Sequence, residues 1–268
     1  MKFSKVLGAA SLAAVLVFGA VACGDDSNGS SGDTTTAAAP KATGDLTVFA
    51  AASLTEAFGD AEAGIEGANR GLDITYSFAG SGALVTQVQQ GAPADVVATA
   101  DLASMQKLVD AGLVEAPTTF ARNQLEILVG LGNPHHVDSL ADLADADLKV
   151  VLADETVPAG KYAAQVLSTA GVTVSPVSKE LDVKAAVAKV TSGEADATIV
   201  YVTDVTAAGS KGVGVEIPDA QNVLPEYPIA IVKATDNHTA AEVFVESVVS
   251  GDGHQALEDR GFLSPAHP

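Results

Sequence analysis

Short apolar runs alternate with amphipathic stretches along most of this 268-residue chain. Apolar runs bounded by turn residues predict buried strands, and apolar positions three and four apart predict helices. We expect seven strands, at 46–50, 72–78, 95–98, 125–130, 149–152, 197–202 and 227–232. We expect seven helices, at 54–66, 82–90, 102–111, 159–170, 183–192, 239–249 and 253–260. This alternation is typical of α/β proteins, in which ligands bind where strands end and helices begin.

Two longer extended segments interrupt the alternation. Residues 120–130 read FARNQLEILVG, and residues 223–233 read VLPEYPIAIVK. Each could carry the chain from one lobe to another. We therefore predict one lobe built from 44–123 plus 227–268 and a second lobe built from 124–226.

The N-terminus has the pattern of a targeting segment. Lys2 and Lys5 precede an uncharged stretch, 6–22, that ends in small residues directly before Cys23. A signal peptide has this shape, and small residues before a lone cysteine resemble the bacterial lipobox, although an alanine stands where leucine is usual. We expect residues 1–22 to be removed and Cys23 to carry a lipid. The alternative is a short transmembrane helix.

A flexible tether is expected to follow the lipidated cysteine. Residues 24–43 are rich in Gly, Ser, Asp and Thr and nearly lack large apolar side chains. Such a stretch cannot bury enough apolar surface to offset the entropy of ordering it. We therefore place the tether at 23–43 and the folded part at about 44–268, where no cysteine remains to form a disulfide.

The chain is strongly acidic, with 34 acidic and 14 basic residues and a formal net charge of -20. Such a surface argues against nucleic acid and against electrostatic docking to anionic lipid. It also opposes an anionic ligand at long range. However, exposed charges more than about 10 Å away are largely screened at physiological salt, and hydrogen bonds to a charged group contribute about 1.5–3 kcal/mol each. Local geometry can therefore outweigh the net charge.

Four predicted helices begin in a way that suits an anion, and their starts lie at Ser53, Ser81, Ala159 and Val183. Each offers free backbone N–H groups at the positive end of a helix dipole. A serine hydroxyl can accept one hydrogen bond while it donates another. Taken alone, any one of these starts is an ordinary capped helix. Residues 53–56, Ser-Leu-Thr-Glu, fit a capping box in which Ser53 is the cap, and Asp182 is a plausible cap before Val183.

Six segments, in this order, resemble one family: TVFAAASLTEAF, SFAGSGALVTQVQQGAPADVVATAD, VPAGKYAAQVL, LDVKAAVAKV, ADATIVYVTD and EYPIAIV. They are similar to the molybdate-binding proteins of bacterial ABC importers over 44–263. The resemblance implies an α/β fold of the type II periplasmic-binding-protein kind. Two lobes of mixed, mostly parallel sheets flanked by helices would close over a tetrahedral oxyanion in the cleft between them.

The same resemblance implies five anion-binding residues: Ser53, Ser81, Ala159, Val183 and Tyr201. The serines would donate through hydroxyl and backbone N–H, Ala159 and Val183 through backbone N–H alone, and Tyr201 through its phenolic O–H. Lys161 and Lys184 lie close by in sequence, but we do not assign them as ligands because neutral donors suffice. We expect no cofactor and no direct cation ligands, since molybdenum would be bound as the oxyanion.

The function implied by the resemblance is transport rather than catalysis. A monomeric receptor, anchored to the cell membrane outside the cytoplasm by a lipid on Cys23, would capture molybdate or tungstate. It would deliver the anion to an ABC permease and its ATPase. The main alternative is a receptor for another tetrahedral oxyanion such as sulfate, which the same neutral donors could hold. A protonated phosphate would need an acceptor that these five residues do not supply.

Other classes of function fit the sequence less well. An enzyme is disfavoured because AGSGA is not the Gly-x-Ser-x-Gly nucleophile elbow. A metal-cation receptor would need convergent ligands, whereas His135, His136 and Asp138 read as a polar turn. We interpret Asp95 and Asp204 as structural carboxylates that bond backbone groups. Composition alone does not exclude an adhesive or structural lipoprotein. The four helix starts that suit an anion disfavour it.

Overall fold

The computed structural model describes residues 42–265. The predicted signal peptide, Cys23 and nearly all of the predicted tether lie outside the described residues. Ala42 is only 1% exposed, and its backbone N–H donates to Asn69 Oδ1 at 3.1 Å. Ala42, which the sequence pattern assigns to the tether, therefore belongs to the packed region, whereas its neighbour Thr43 is exposed. A small methyl group and one satisfied N–H make this burial possible.

The described residues form ten strands and eight α-helices. The strands are β1 Gly44–Ala51, β2 Leu72–Ala79, β3 Val96–Ala98, β4 Thr118–Arg122, β5 Leu125–Gly130, β6 Val151–Ala153, β7 Ser178–Glu180, β8 Ala197–Tyr201, β9 Gly212–Glu216 and β10 Glu226–Ile231. The helices are α1 Thr55–Ala68, α2 Ser81–Gln89, α3 Leu102–Asp110, α4 Pro158–Ala170, α5 Val183–Thr191, α6 Val202–Ala208, α7 His238–Ser250 and α8 Asp252–Asp259. Short 3-10 turns lie at Ala52–Leu54, Leu140–Ala144 and Gly209–Lys211. Among these residues no helix is long and apolar enough to span a membrane.

Each of the fourteen predicted elements is present, with bounds that differ by a few residues. The sequence pattern missed β4, β7, β9 and α6. The strands β7 and β9 read SKE and GVGVE and are only partly buried, so they lack the apolar runs that mark a strand. Helix α6 follows β8 without any intervening turn residue, and its start was therefore counted as part of a longer strand.

The first sheet has the order β2-β1-β3-β10-β4. Its strand β1 is parallel to both β2 and β3, and its side chains are buried on both faces. On one face Phe58 of α1 meets Phe244 of α7 edge to face, with ring centroids 5.5 Å apart. On the other face Phe49 packs with Leu84 of α2 and Leu108 of α3. Helices therefore cover both faces, as expected for a sheet with parallel strands.

The second sheet has the order β8-β5-β9, and β6 pairs with β7 beside it. A single parallel bridge between Val150 and Ala197 connects this pair to β8. Helices α4, α5 and α6 pack against these strands. Strands of the first sheet come from 44–122 and 226–231, and strands of the second sheet and of the pair come from 125–216. The division into lobes at 44–123 plus 227–268 and 124–226 stays a prediction.

The expectation of mostly parallel sheets is wrong in that detail. Four of the seven strand pairings are antiparallel, namely β10 with β3, β10 with β4, β5 with β8 and β5 with β9. The two strands responsible, β5 and β10, are the ones that begin just after the chain has crossed from one sheet to the other. A strand that arrives this way needs no helical crossover, so antiparallel pairing is open to it.

Candidate functional site

A small cavity lies where the residues after β1 and β2 meet the first turns of α4 and α5. Its lining consists of Ala51, Ala52, Ser53, Ala79, Gly80, Ser81, Ala100, Val157, Pro158, Ala159, Asp182, Val183 and Tyr201. All five residues implied by the family resemblance are therefore brought together at one place. Each of the five is less than 5% exposed, so their polar groups are largely shielded from water.

The size of the cavity suits a small polyatomic ion. The centre of a water-sized sphere can occupy about 20 Å³ of it. If that space were spherical, the cavity would accept a sphere about 3 Å in radius. This is room for a central atom with a shell of oxygens, and too little for a sugar or a nucleotide.

Two serine hydroxyls line the cavity, and each has a defined partner behind it. The Ser81 Oγ accepts a hydrogen bond from the Ala100 backbone N–H at 3.0 Å. Because that bond uses a lone pair, the hydroxyl proton of Ser81 is left to donate elsewhere. The Ser53 Oγ lies 3.0 Å from the Tyr227 hydroxyl oxygen. Both side chains are thus held in place by the first sheet and its connections.

Ser53 does not cap a helix, so the capping half of its predicted role is wrong. It lies inside the 3-10 turn Ala52–Leu54, and α1 begins only at Thr55. The residue at the cap position is Leu54, which makes no side-chain capping bond. In this turn the Ser53 hydroxyl contacts the Tyr227 hydroxyl and makes no capping bond to a backbone N–H of α1.

The starts of α4 and α5 supply backbone donors. Pro158 occupies the first turn of α4, where its missing N–H costs nothing. Asp182 caps α5, because its Oδ1 accepts from the Ala185 N–H at 2.9 Å. The N–H groups of Ala159 and Val183 lie in the first turns, where no carbonyl of the same helix can accept from them.

The Tyr201 hydroxyl is buried and has no hydrogen-bond partner among residues 42–265. An unmade bond of a buried hydroxyl costs about 1–3 kcal/mol. Burial, together with the neighbouring Tyr227, raises the pKa of Tyr201 well above its usual range. The hydroxyl therefore keeps its proton and is available as a donor at the wall of the cavity.

The charged groups near the cavity are already paired. No lysine or arginine is among the lining residues, and the only lining carboxylate, Asp182, is engaged as a helix cap. The Lys161 ammonium lies 3.5 Å from Asp101. The Lys184 ammonium contacts two carboxylates. The arrangement can hold an anion by hydrogen bonds from neutral groups, with no full positive charge beside it.

Two carboxylates have the structural roles predicted for them. Asp95 accepts from the Thr47 N–H at 2.7 Å, and Asp204 accepts from the Tyr201 N–H at 3.2 Å.

The polar turn that contains His135 shows no metal site. The His135 ring lies 3.3 Å from Asp196. Within the described part of the chain, no group of three or more His, Cys, Asp and Glu side chains could hold a metal ion.

Sequence reasoning missed Tyr227. It is fully buried, and its ring packs edge to face against Phe262 at 5.3 Å and Tyr201 at 5.9 Å. The segment EYPIAIV, which contains it, predicts a strand and resembles the family, but it does not mark residue 227 as part of a site. Nothing in the linear order indicates that residue 227 reaches the hydroxyl of Ser53, because that contact depends on β10 returning to the first sheet.

Comparison with known proteins gives the family. A model of the family described as bacterial extracellular solute-binding protein matches residues 46–263. The chain belongs to the bacterial extracellular solute-binding proteins. Members of this family are transport receptors and not enzymes, so the prediction of a non-enzymatic protein is confirmed.

Individual members of the family resemble the chain over nearly its whole length. The molybdate-binding protein ModA of Mycobacterium tuberculosis is 39% identical over 255 residues, covering 95% of this chain and 96% of that protein. The substrate-binding domain of a putative molybdenum ABC transporter from Clostridium difficile superposes with a TM-score of 0.63 at 28% identity, covering 83% of this chain and 99% of that one. The periplasmic molybdate-binding protein of Azotobacter vinelandii gives 0.73 at 22% identity, covering 82% and 100%. The predicted type II fold is confirmed.

Proposed function

We propose that this solute-binding protein captures molybdate, and tungstate with it, and delivers the anion to an ABC importer. The observation that carries the proposal is the cavity itself, in which donors from five chain segments converge without any cationic side chain. The names of the M. tuberculosis, C. difficile and A. vinelandii relatives support molybdate as the ligand. No cofactor is proposed.

Binding would rest on neutral donors that are held in place within each side of the cavity. Ser53 and Ser81 would each donate a hydroxyl and a backbone N–H, Ala159 and Val183 a backbone N–H, and Tyr201 its phenolic O–H. Each hydrogen bond to a charged acceptor contributes about 1.5–3 kcal/mol. Because the donors on each side are preorganised, closure brings together two ready-made halves of the site, which limits the entropy lost on binding. Oxyanions that carry a proton would be disfavoured, since none of these five residues supplies a carboxylate to accept that proton.

Entry of the anion requires the two sides of the cavity to separate. A Cβ added at Gly80, which follows β2, would lie 2.7 Å from the Leu181 carbonyl oxygen and 2.8 Å from Val157 Cγ1. The segment after β2, on the side of the first sheet, is therefore in direct contact with the segments before α4 and α5 at the edge of the cavity. We propose that 44–123 plus 227–268 and 124–226 move as two lobes, and that the arrangement described here is the closed one.

The route to the membrane is proposed from the N-terminal sequence. A lipid on Cys23 would hold the receptor at the outer face of the cell membrane, and residues 24–41 would let it reach the permease as a monomer. Replacing Cys23 with serine should release the protein into the soluble extracellular or periplasmic fraction. If the Cys23→Ser protein stays with the membrane, a spanning N-terminal helix replaces the lipid anchor.

Sulfate is the alternative ligand, because it is also a tetrahedral dianion. Size distinguishes the two, since the Mo–O bond is longer than the S–O bond. The test is calorimetric titration of the purified protein with molybdate, tungstate, sulfate and phosphate in the same buffer. We expect molybdate and tungstate to bind with similar affinity and far more tightly than sulfate and phosphate. Sulfate binding as tight as molybdate binding would overturn the assignment of the ligand.

A further inference from the structure

A single lysine beside the cavity contacts carboxylates from two different helices. The Lys184 Nζ lies 2.5 Å from Glu56 Oε2 and 2.9 Å from Asp204 Oδ1. The Asp204 side chain is completely buried, whereas Lys184 and Glu56 are a quarter and a third exposed. Burial opposes the charge on Lys184, but the two carboxylates outweigh that effect and raise its pKa. The ammonium is therefore charged and forms an ion pair with each of the two carboxylates.

These contacts join three segments that carry candidate anion donors. Lys184 directly follows Val183 in α5. Asp204 uses its second oxygen to accept from the Tyr201 N–H at 3.2 Å. Glu56 lies in the first turn of α1, directly after the 3-10 turn that contains Ser53. One ammonium group thus connects the segments that carry Val183, Tyr201 and Ser53.

The two ion pairs of Lys184, called its arms here, connect different parts of the molecule. Lys184 and Asp204 belong to α5 and α6, which both pack on the second sheet. Glu56 belongs to α1, which packs on the first sheet, so the Lys184–Glu56 arm crosses from one side of the cavity to the other. The Lys161–Asp101 pair also crosses, but its 3.5 Å separation is longer and Lys161 is about half exposed.

We propose that Lys184 is a positioning residue for the anion site. Through Asp204 it orients the strand end that carries Tyr201, and through Glu56 it holds the closed arrangement around the bound anion. Its positive charge is neutralised by these two carboxylates, so we do not assign Lys184 as a ligand of the anion. This inference rests on the proposed function, because it assigns the residue to closure over an oxyanion.

The Glu56→Gln variant tests the crossing arm alone, because it leaves Lys184 paired with the buried Asp204. We expect the dissociation constant for molybdate to rise about three- to fivefold, as for a partly exposed ion pair. The change should come from faster anion release, since the arm forms only on closure. The difference from the wild type should shrink at high salt, because partly exposed pairs are screened.

Asp60→Asn is the matched control. Asp60 lies on the same helix and pairs with Arg260 of the neighbouring helix end, so the charge change is identical but no contact across the cavity is lost. We expect molybdate affinity and release rate to equal those of the wild type.

Measurements on the wild-type protein distinguish a failure of the proposed function from a failure of the role proposed for Lys184. Wild-type protein that binds no molybdate, tungstate or sulfate would overturn the proposed function. Wild-type protein that binds, together with a Glu56→Gln protein of unchanged release rate, would overturn the role of Lys184 alone. A lower melting temperature of unliganded Glu56→Gln protein, with unchanged release, would also count against it, because that result indicates a purely structural pair.

Discussion

The hydroxyl oxygens of Ser53 and Tyr227 lie 3.0 Å apart although 174 residues separate them in the chain. Tyr227 lies on β10, the strand that returns to the first sheet after the second sheet is complete. The contact therefore forms only when β10 has joined the sheet that contains β1. It holds the Ser53 side chain at the wall of the cavity, and with Tyr227 as the donor the Ser53 proton is left for the anion.

Replacing Tyr227 with phenylalanine should weaken molybdate binding without unfolding the protein. The ring can keep its packing against Phe262 and Tyr201, while Ser53 loses the partner that orients it. A typical hydrogen bond contributes about 1 kcal/mol, so we expect roughly a fivefold loss of affinity by calorimetry. Tyr76→Phe is the control, because that hydroxyl donates to the Phe58 carbonyl away from the cavity. Equal affinity of the Tyr227→Phe and wild-type proteins would remove Tyr227 from the site.

Replacing Tyr201 with phenylalanine should weaken binding without lowering stability. In the closed arrangement the hydroxyl is buried without a partner among the described residues, so the bound anion is the acceptor proposed for its proton. The melting temperature without anion should not fall, because no hydrogen bond within the protein is lost. Molybdate affinity should fall by about tenfold or more, because a hydrogen bond to a charged group is lost.

Thr198→Val is the matched control for Tyr201→Phe. Its hydroxyl is likewise buried without a partner within 42–265, it lies on the same strand, and it is not among the lining residues. We expect a stability gain with unchanged anion affinity. If Tyr201→Phe behaves in the same way as Thr198→Val, the Tyr201 hydroxyl does not bind the anion.

Replacing Gly80 with alanine should block closure over the anion. The backbone at Gly80 has φ of -61°, which alanine adopts freely, so the added Cβ is the only change. That atom would lie within 2.8 Å of Leu181 and Val157, and overpacking of this kind costs about 1–3 kcal/mol. We expect an affinity loss of about fivefold or more and a larger radius of gyration in small-angle scattering with molybdate present.

Gly59→Ala is the control for that experiment. A Cβ at this position in α1 meets nothing within 4 Å, and alanine favours the helix over glycine. Affinity and radius of gyration should match the wild type. A Gly80→Ala protein that binds and closes like this control would contradict the contact between the two sides.

Much of this arrangement could be predicted from the sequence, and the reasons for success and failure are physical. The strong apolar runs of β1 and β5 and the helix starts at Ser81, Ala159 and Val183 are local signals. The Tyr227–Ser53 contact and the Glu56–Lys184 pair join residues far apart in the chain, so no pattern of residue spacing predicts them. The role of Ser53 as a cap was wrong because a 3-10 turn precedes α1, and local sequence does not distinguish that turn from the first turn of a helix.

High pH should destabilise the protein through its buried tyrosines. Burial raises the pKa of Tyr201 and Tyr227, whereas unfolded tyrosine ionises near pH 10. Above about pH 10 the folded state therefore holds more protons than the unfolded state, so the free energy of unfolding falls as pH rises. Below about pH 9 these groups cause no change. Urea unfolding at several alkaline pH values should show a smaller decline for Tyr201→Phe than for the wild type, and equal declines would contradict the shift.

The most direct test of the central claim is the position of the anion itself. Crystals grown with tungstate should show one strong anomalous peak at the tungsten absorption edge. We expect this peak inside the cavity, with the anion's oxygens in hydrogen-bond contact with Ser53, Ser81, Ala159, Val183 and Tyr201. A peak outside the cavity, or an anion held by the ammonium of Lys161 or Lys184, would contradict it.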